Sequence, residues 1–362
     1  MASLGPVPLP SVLLHDHLDG GVRVDTILEL ADAQGYDLLP ATGPDDLASW
    51  FDQTDSGSLE SYLQSFEHTV AVMQDEASLE RVAYESAIDL AIDGVVYAEI
   101  RFRPNHHIRR GLDGDRVIDA VASGLRLGSV ETGLEWGLLV CALRQYDDSL
   151  DQARLAISKR AAGVVGFDLA GPEEPYPPTL HLEAFRLVRE SGMRLTIHAG
   201  ESGRSKGASY MATAMERCGA ERLGHGVELI DDCVVSNGEI VELGRVATRI
   251  RDRQVPLEMC PHSNLATKGW SPGQHPLGAM HRAGFNVTIS TDNRLMSNTR
   301  MSRELDFAIE HHRFDITDLA IVAKRSLAAS FCGHETKARL WEGSIAPAYR
   351  DAGADIGENW PC

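Results

Sequence analysis

The sequence predicts an α/β protein, a (β/α)8 barrel with additional helices and an inserted helical segment between its first and second strands. Two observations carry this. Eight short, mostly apolar runs recur along the chain, each followed by a stretch of helical periodicity, as expected of parallel strands covered by helices. Eight such units fit the roughly 250 residues of a barrel and leave room for insertions. A doubly wound open sheet is the runner-up. It commonly needs fewer units, and the first run lacks the Gly-rich phosphate turn of a dinucleotide fold.

Residues 1–10 carry three prolines and read as an N-terminal arm. Ser11–Leu14 is the first strand and runs into His15-Asp16-His17-Leu18-Asp19-Gly20-Gly21. Asp25 is expected to cap a helix through Ala33, closed by Gly35. Residues 40–58, rich in Asp, Gly and Ser, read as a loop with short helical pieces. Leu59, Tyr62, Leu63, Phe66, Val70 and Met73 then recur at helical spacing and form the insert. A helix over 77–93 leads to strand Val95–Arg101. A helix over 115–131 leads to strand Leu138–Ala142, and one over 149–162 to Val164–Leu169. The fifth strand, Leu195–His198, follows helix 180–190. Helix 208–218 leads to Arg222–Gly226, helix 240–253 to Val255–Cys260, and helix 274–283 to Asn286–Ser290. Helices near 301–311, 316–331 and 333–342 finish the fold. Residues 11–345 are expected to be one barrel domain and 346–362 a C-terminal tail.

Acidic residues outnumber basic ones, 53 to 34, which argues against nucleic acid or an anionic membrane as partner. The six cysteines are scattered without a C-x-x-C pair and read as free thiols in a reducing compartment. No stretch of about 18 apolar residues occurs. A cytoplasmic protein is expected.

In a barrel, reactive groups sit at the C-terminal ends of strands. Those positions hold His15 and His17, Asp168, His198 with Glu201, His225 and Asp292, from five different strands. His15 and His17 are two apart, so at an extended strand end they project to one side. His198 adds a third nitrogen and Asp292 an oxygen. Three His and one Asp suit a catalytic zinc, and also iron or cobalt. Strand 4 ends on Asp168 and offers no lysine to bridge a second ion, so a single metal is expected. Glu201 and His225 remain to share acid and base work.

These motifs resemble the adenosine deaminase family of metal-dependent amidohydrolases. They are His15-Asp16-His17-Leu18-Asp19-Gly20, Gly166-Phe167-Asp168-Leu169-Ala170-Gly171, His198-Ala199-Gly200-Glu201, Leu223-Gly224-His225-Gly226 and Ser290-Thr291-Asp292-Asn293. The likeness spans about residues 11–340 and is closest to the actinobacterial type, including Arg294-Leu295-Met296-Ser297. It implies one zinc ion per subunit on His15, His17, His198 and Asp292, and hydrolysis of adenosine, with 2′-deoxyadenosine, to inosine and ammonia. It implies that Glu201 protonates purine N1 while hydroxide adds at C6, and that His225 orients the attacking water. Asp292 would also hold that water, Gly171 would present its N–H to N3, and Asp19 would accept from a ribose hydroxyl. Where the family commonly has a second Asp, this chain has Asn293, whose amide can make the same donation to N7. The loop Ser202-Gly203-Arg204-Ser205-Lys206-Gly207 is more polar and basic than that family leads one to expect, and His262 is unusual for it. They keep adenine, a modified adenosine and aminofutalosine open as substrates. A non-deaminating amidohydrolase and a binding protein without catalysis are the remaining alternatives.

Overall fold

The computed structural model describes residues 8–202 and 206–356. Eight parallel strands form one sheet, in chain order throughout. They are β1 (Ser11–His17), β2 (Val95–Phe102), β3 (Glu135–Leu143), β4 (Val164–Ala170), β5 (Arg194–Ala199), β6 (Arg222–His225), β9 (Leu257–Met259) and β10 (Val287–Ile289), with β7 (Cys233–Ser236) and β8 (Glu239–Leu243) forming a separate hairpin. Each barrel strand matches one of the eight runs read from the sequence.

The barrel closes just beyond the end of β10. Asp292 bridges Asp16 in parallel register; the N–H of His17 donates to Asp292 O at 2.8 Å, and the N–H of Asp292 to His15 O at 2.9 Å. Closure therefore fixes three of the candidate residues by main-chain bonds. The interior is not wholly apolar. Glu99 and Arg101 from β2, Asp168 from β4, Thr196 from β5, Arg222 from β6 and Glu258 from β9 are all buried inside. Side chains of this kind are almost never fully buried unless paired.

Three local readings need correction. Residues 240–243, expected as the start of a helix, belong to the strand Glu239–Leu243. Asn237 and Gly238 adopt positive φ (51° and 76°), the turn that an Asn-Gly pair favours between twisted antiparallel strands. Pro261–Lys268 is an additional helix, with Pro261 in its first turn, where no N–H is missed. The first helix runs Val24–Gln34, with Arg23 rather than Asp25 at its N-cap position. The insert comprises the helices Pro44–Phe51, Leu59–Leu63 and Phe66–Val72. Residues 346–351, within the expected tail, are helical, and Tyr349 is buried.

Candidate functional site

β1, β5 and β6 carry His15, His17, His198 and His225 to the C-terminal mouth, and Asp292 arrives at the point of closure. His15, His198, His225 and Asp292 are buried and place one donor atom each within 4.8 Å of all the others. His17 stands beside them. Its Nε2 lies 3.4 Å from Asp292 Oδ1, the same distance as the Nε2 of His15. The His17 ring centroid is 5.5 Å from those of both His15 and His198. His225 and Asp292 both hold positive φ (61° and 60°), a costly conformation away from glycine that clusters at functional sites.

The far sides of the imidazoles are tied down. Nδ1 of His15 donates to Glu258 at 2.9 Å, and Nδ1 of His198 donates to Asp168 at 3.1 Å. Each bond leaves a bare Nε2. That of His15 is buried with no hydrogen-bond partner at all. Oδ2 of Asp292 accepts from Ser263 Oγ at 2.6 Å, which leaves Oδ1 towards the histidines. Bare nitrogens backed by carboxylates, converging on a carboxylate oxygen, fit a divalent cation. A donor set of imidazole and carboxylate without thiolate suits zinc, iron or cobalt.

Arg101 organises the layer beneath. It donates to Asp168 at 3.0 Å, to Glu258 at 2.8 Å and to Leu14 O at 2.6 Å. Arg222 and Thr196 also donate to Glu258, at 2.6 and 2.9 Å. Burial alone would raise the pKa of both carboxyls. Instead, His198 and Arg101 hold Asp168, and Arg101 and Arg222 hold Glu258, well below the carboxylate range.

Glu201 is presented by the loop after β5. The Glu173 carboxylate accepts the N–H groups of Gly200, Glu201 and Ser202 at 3.0, 2.8 and 2.9 Å. The turn needs Gly200, which has φ 78° and where a Cβ would sit 2.8 Å from Met211 Cε. The Glu201 side chain is buried, with Oε2 3.5 Å from His225 Nε2. Burial, then the charges of Asp292 and Glu173, push its pKa well above the usual value. Burial likewise lowers that of His225, with His15 adding to the effect. A carboxyl biased to its protonated form therefore faces an imidazole biased to neutrality.

These groups open onto a cavity of about 190 Å³. His17, Asp19, Gly171, His198, Glu201, His225, Asp292 and Asn293 line it, while His15 lies behind. Burial raises Asp19 to about 7, so near neutrality it can both donate and accept. Leu59, Tyr62, Leu63 and Phe66 of the insert form an apolar wall, and Tyr62 reaches Ser297 Oγ at 2.6 Å. The basic features flagged in the sequence lie elsewhere. His262 pairs with buried Glu304 at 2.9 Å and does not line the cavity. Lys206 is exposed and pairs with Glu174 at 2.7 Å; Arg204 lies outside the described residues. The sequence reading passed over Arg101, Glu258, Ser263, Asn264 and Glu173. A signal existed for two of them: a charge in the middle of an apolar strand, as at Arg101 and Glu258, demands a buried partner.

A family model described as adenosine deaminase matches residues 10–346. The chain is 45% identical to Adenosine deaminase 1 of Streptomyces coelicolor, covering 97% of this chain and 89% of that protein. It is 46% identical to the Adenosine deaminase of Mycobacterium tuberculosis, covering 94% of each. The structure of an adenine deaminase from Arthrobacter aurescens matches with a TM-score of 0.83 at 26% identity, covering 96% of this chain and all of that one. With its motifs carried to one barrel mouth, and this family matched along nearly its whole length, the chain belongs to the adenosine deaminase family.

Proposed function

We propose that the protein hydrolyses the exocyclic amine of adenosine, and of 2′-deoxyadenosine, to give inosine or its deoxy form and ammonia. The observation that carries this reading is Glu201: a buried carboxyl, biased to protonation, that faces His225 and a cation-ready His/Asp cluster at the barrel mouth. His15, His17, His198 and Asp292 would hold one zinc ion, which supplies a lowered pKa for water, from about 15.7 towards 7.

The remaining chemistry belongs to the chain. Glu201 delivers its proton to purine N1, which draws electrons from C6 and prepares that carbon for addition. His225 and Asp292 hold the oxygen that adds. The hydroxyl proton on the tetrahedral C6 then passes to the amine, the C6–N bond breaks to leave the C6 carbonyl and ammonia, and the proton released by the next water restores Glu201. Gly171 offers its backbone N–H to N3 and Asn293 its amide to N7. Asp19 takes a ribose hydroxyl, which favours a nucleoside over the free base. The apolar residues of the insert line the same cavity, where they limit water. The five described cysteines are free, and no helix among the described residues is long and apolar enough to cross a membrane; both support a cytoplasmic location.

The test is a panel of adenosine, 2′-deoxyadenosine, adenine and 5′-modified adenosines with zinc-loaded protein, followed by ultraviolet absorbance. Adenosine and its deoxy form should turn over fastest. Preference for adenine or a 5′-modified nucleoside would replace the substrate and retain the chemistry. For the ligand set, His17→Ala should bind less than a tenth of the wild-type metal by elemental analysis; full occupancy would remove His17 from it.

A further inference from the structure

Hydrogen bonds sort the histidines of the mouth into two kinds. His15 and His198 give their Nδ1 protons to carboxylates, so each turns a bare Nε2 to the centre. His225 is held the opposite way round. Its Nδ1 faces the amide of Asn264, with Nδ2 at 3.1 Å.

The polarity of that amide follows from what surrounds it. The N–H of Cys260, which can only donate, points at Asn264 Oδ1 at 3.3 Å. His275 Nε2 lies 3.3 Å from the same oxygen. The other nitrogen of His275 accepts the N–H of Leu277 at 3.2 Å, so the His275 proton sits on Nε2 and is donated to Asn264. With Oδ1 satisfied twice, Nδ2 must be the group that donates to His225. His225, Asn264 and His275 are all buried, which shields this chain from exchange with water.

We infer that Asn264 and His275 are positioning residues for the deamination: a one-way hydrogen-bond relay, set by the main-chain N–H of Leu277 and Cys260, that keeps the proton of His225 on Nε2. This rests on the activity proposed above. Two consequences follow. A nitrogen that carries a proton has no lone pair for a cation, so His225 stays outside the ligand set although it offers a ring nitrogen to the donor cluster. The same Nε2–H is a fixed donor aimed into the site beside Glu201. It can therefore hold the oxygen that adds to C6 without first having to lose or move a proton.

Two substitutions separate this role from simple packing. Asn264→Asp keeps the shape and the acceptor for Cys260 and His275, yet presents an acceptor to Nδ1. It draws the proton there and bares Nε2. Asn264→Ala leaves a gap but imposes no tautomer. Asn264→Asp should therefore lower kcat more, by up to about 10,000-fold, the scale set when a catalytic histidine is held in the wrong tautomer. KM for adenosine should stay within about threefold in both variants. A packing role predicts the reverse order, and milder loss in the Asp variant would overturn the inference. His275→Gln, whose amide can still donate to Asn264, should retain more kcat than His275→Leu; equal losses would remove His275 from the relay. Independently of turnover, long-range ¹H–¹⁵N correlations on zinc-loaded, histidine-labelled wild-type protein should show His225 protonated at Nε2 and not at Nδ1. A proton on Nδ1 would overturn the relay. If adenosine is not turned over but Nε2 is protonated, the substrate reading fails and the relay stands.

Discussion

Glu201→Gln is expected to lower kcat for adenosine by about 100- to 10,000-fold, the range supplied by one positioned acid or base. The amide keeps the size of the side chain and a donor towards N1, but it has no proton to transfer. The three N–H bonds to Glu173 do not involve the Glu201 side chain, so the loop should hold its shape. Metal content and KM should then remain near wild type, and the loss should fall on kcat. Turnover within tenfold of wild type would exclude Glu201 as the acid. Loss through KM alone would make it a binding group.

The largest effect on stability is expected at Arg101→Met. Met approximates the length of the stem but removes three buried bonds, to Asp168, Glu258 and Leu14 O. Two carboxylates under the mouth then lose their shared cation. Breaking a buried pair by removing one partner costs about 3–5 kcal/mol. Denaturant unfolding of the metal-free protein isolates this cost, because the ion cannot then compensate. The same variant should bind metal about 10- to 100-fold more weakly, since Asp168 and Glu258 are the groups that hold His198 and His15 in orientation. A change below about 1 kcal/mol would show that Arg222 and His198 suffice to hold the layer.

The barrel and most of the mouth were legible because both leave strong local marks. Strands buried on both faces read as short apolar runs, and each run that matters ends on a polar side chain at the mouth. His15, His198, Glu201, His225 and Asp292 could be collected on that rule alone. What was not legible depends on pairs far apart in the chain. Arg101 and Glu258 are 157 residues apart, and Asn264 meets His225 across two different strand ends. Asn264 and Ser263 sit on a helix that the reading did not include, so nothing marked them as facing the site. His262, chosen for its chemistry, turned to Glu304 because residues one position apart on a helix point in different directions. The hairpin β7–β8 was passed over for a different reason: its Val and Glu residues also satisfy a helical pattern, and only the Asn-Gly turn decides between them.

The most direct measurement is deamination of adenosine by zinc-loaded protein in H₂¹⁸O, with product mass and ammonia followed together. Hydrolysis at C6 predicts inosine carrying one ¹⁸O atom and one equivalent of ammonia for each adenosine consumed. Absence of inosine, or inosine without label, would contradict the addition of water at this site.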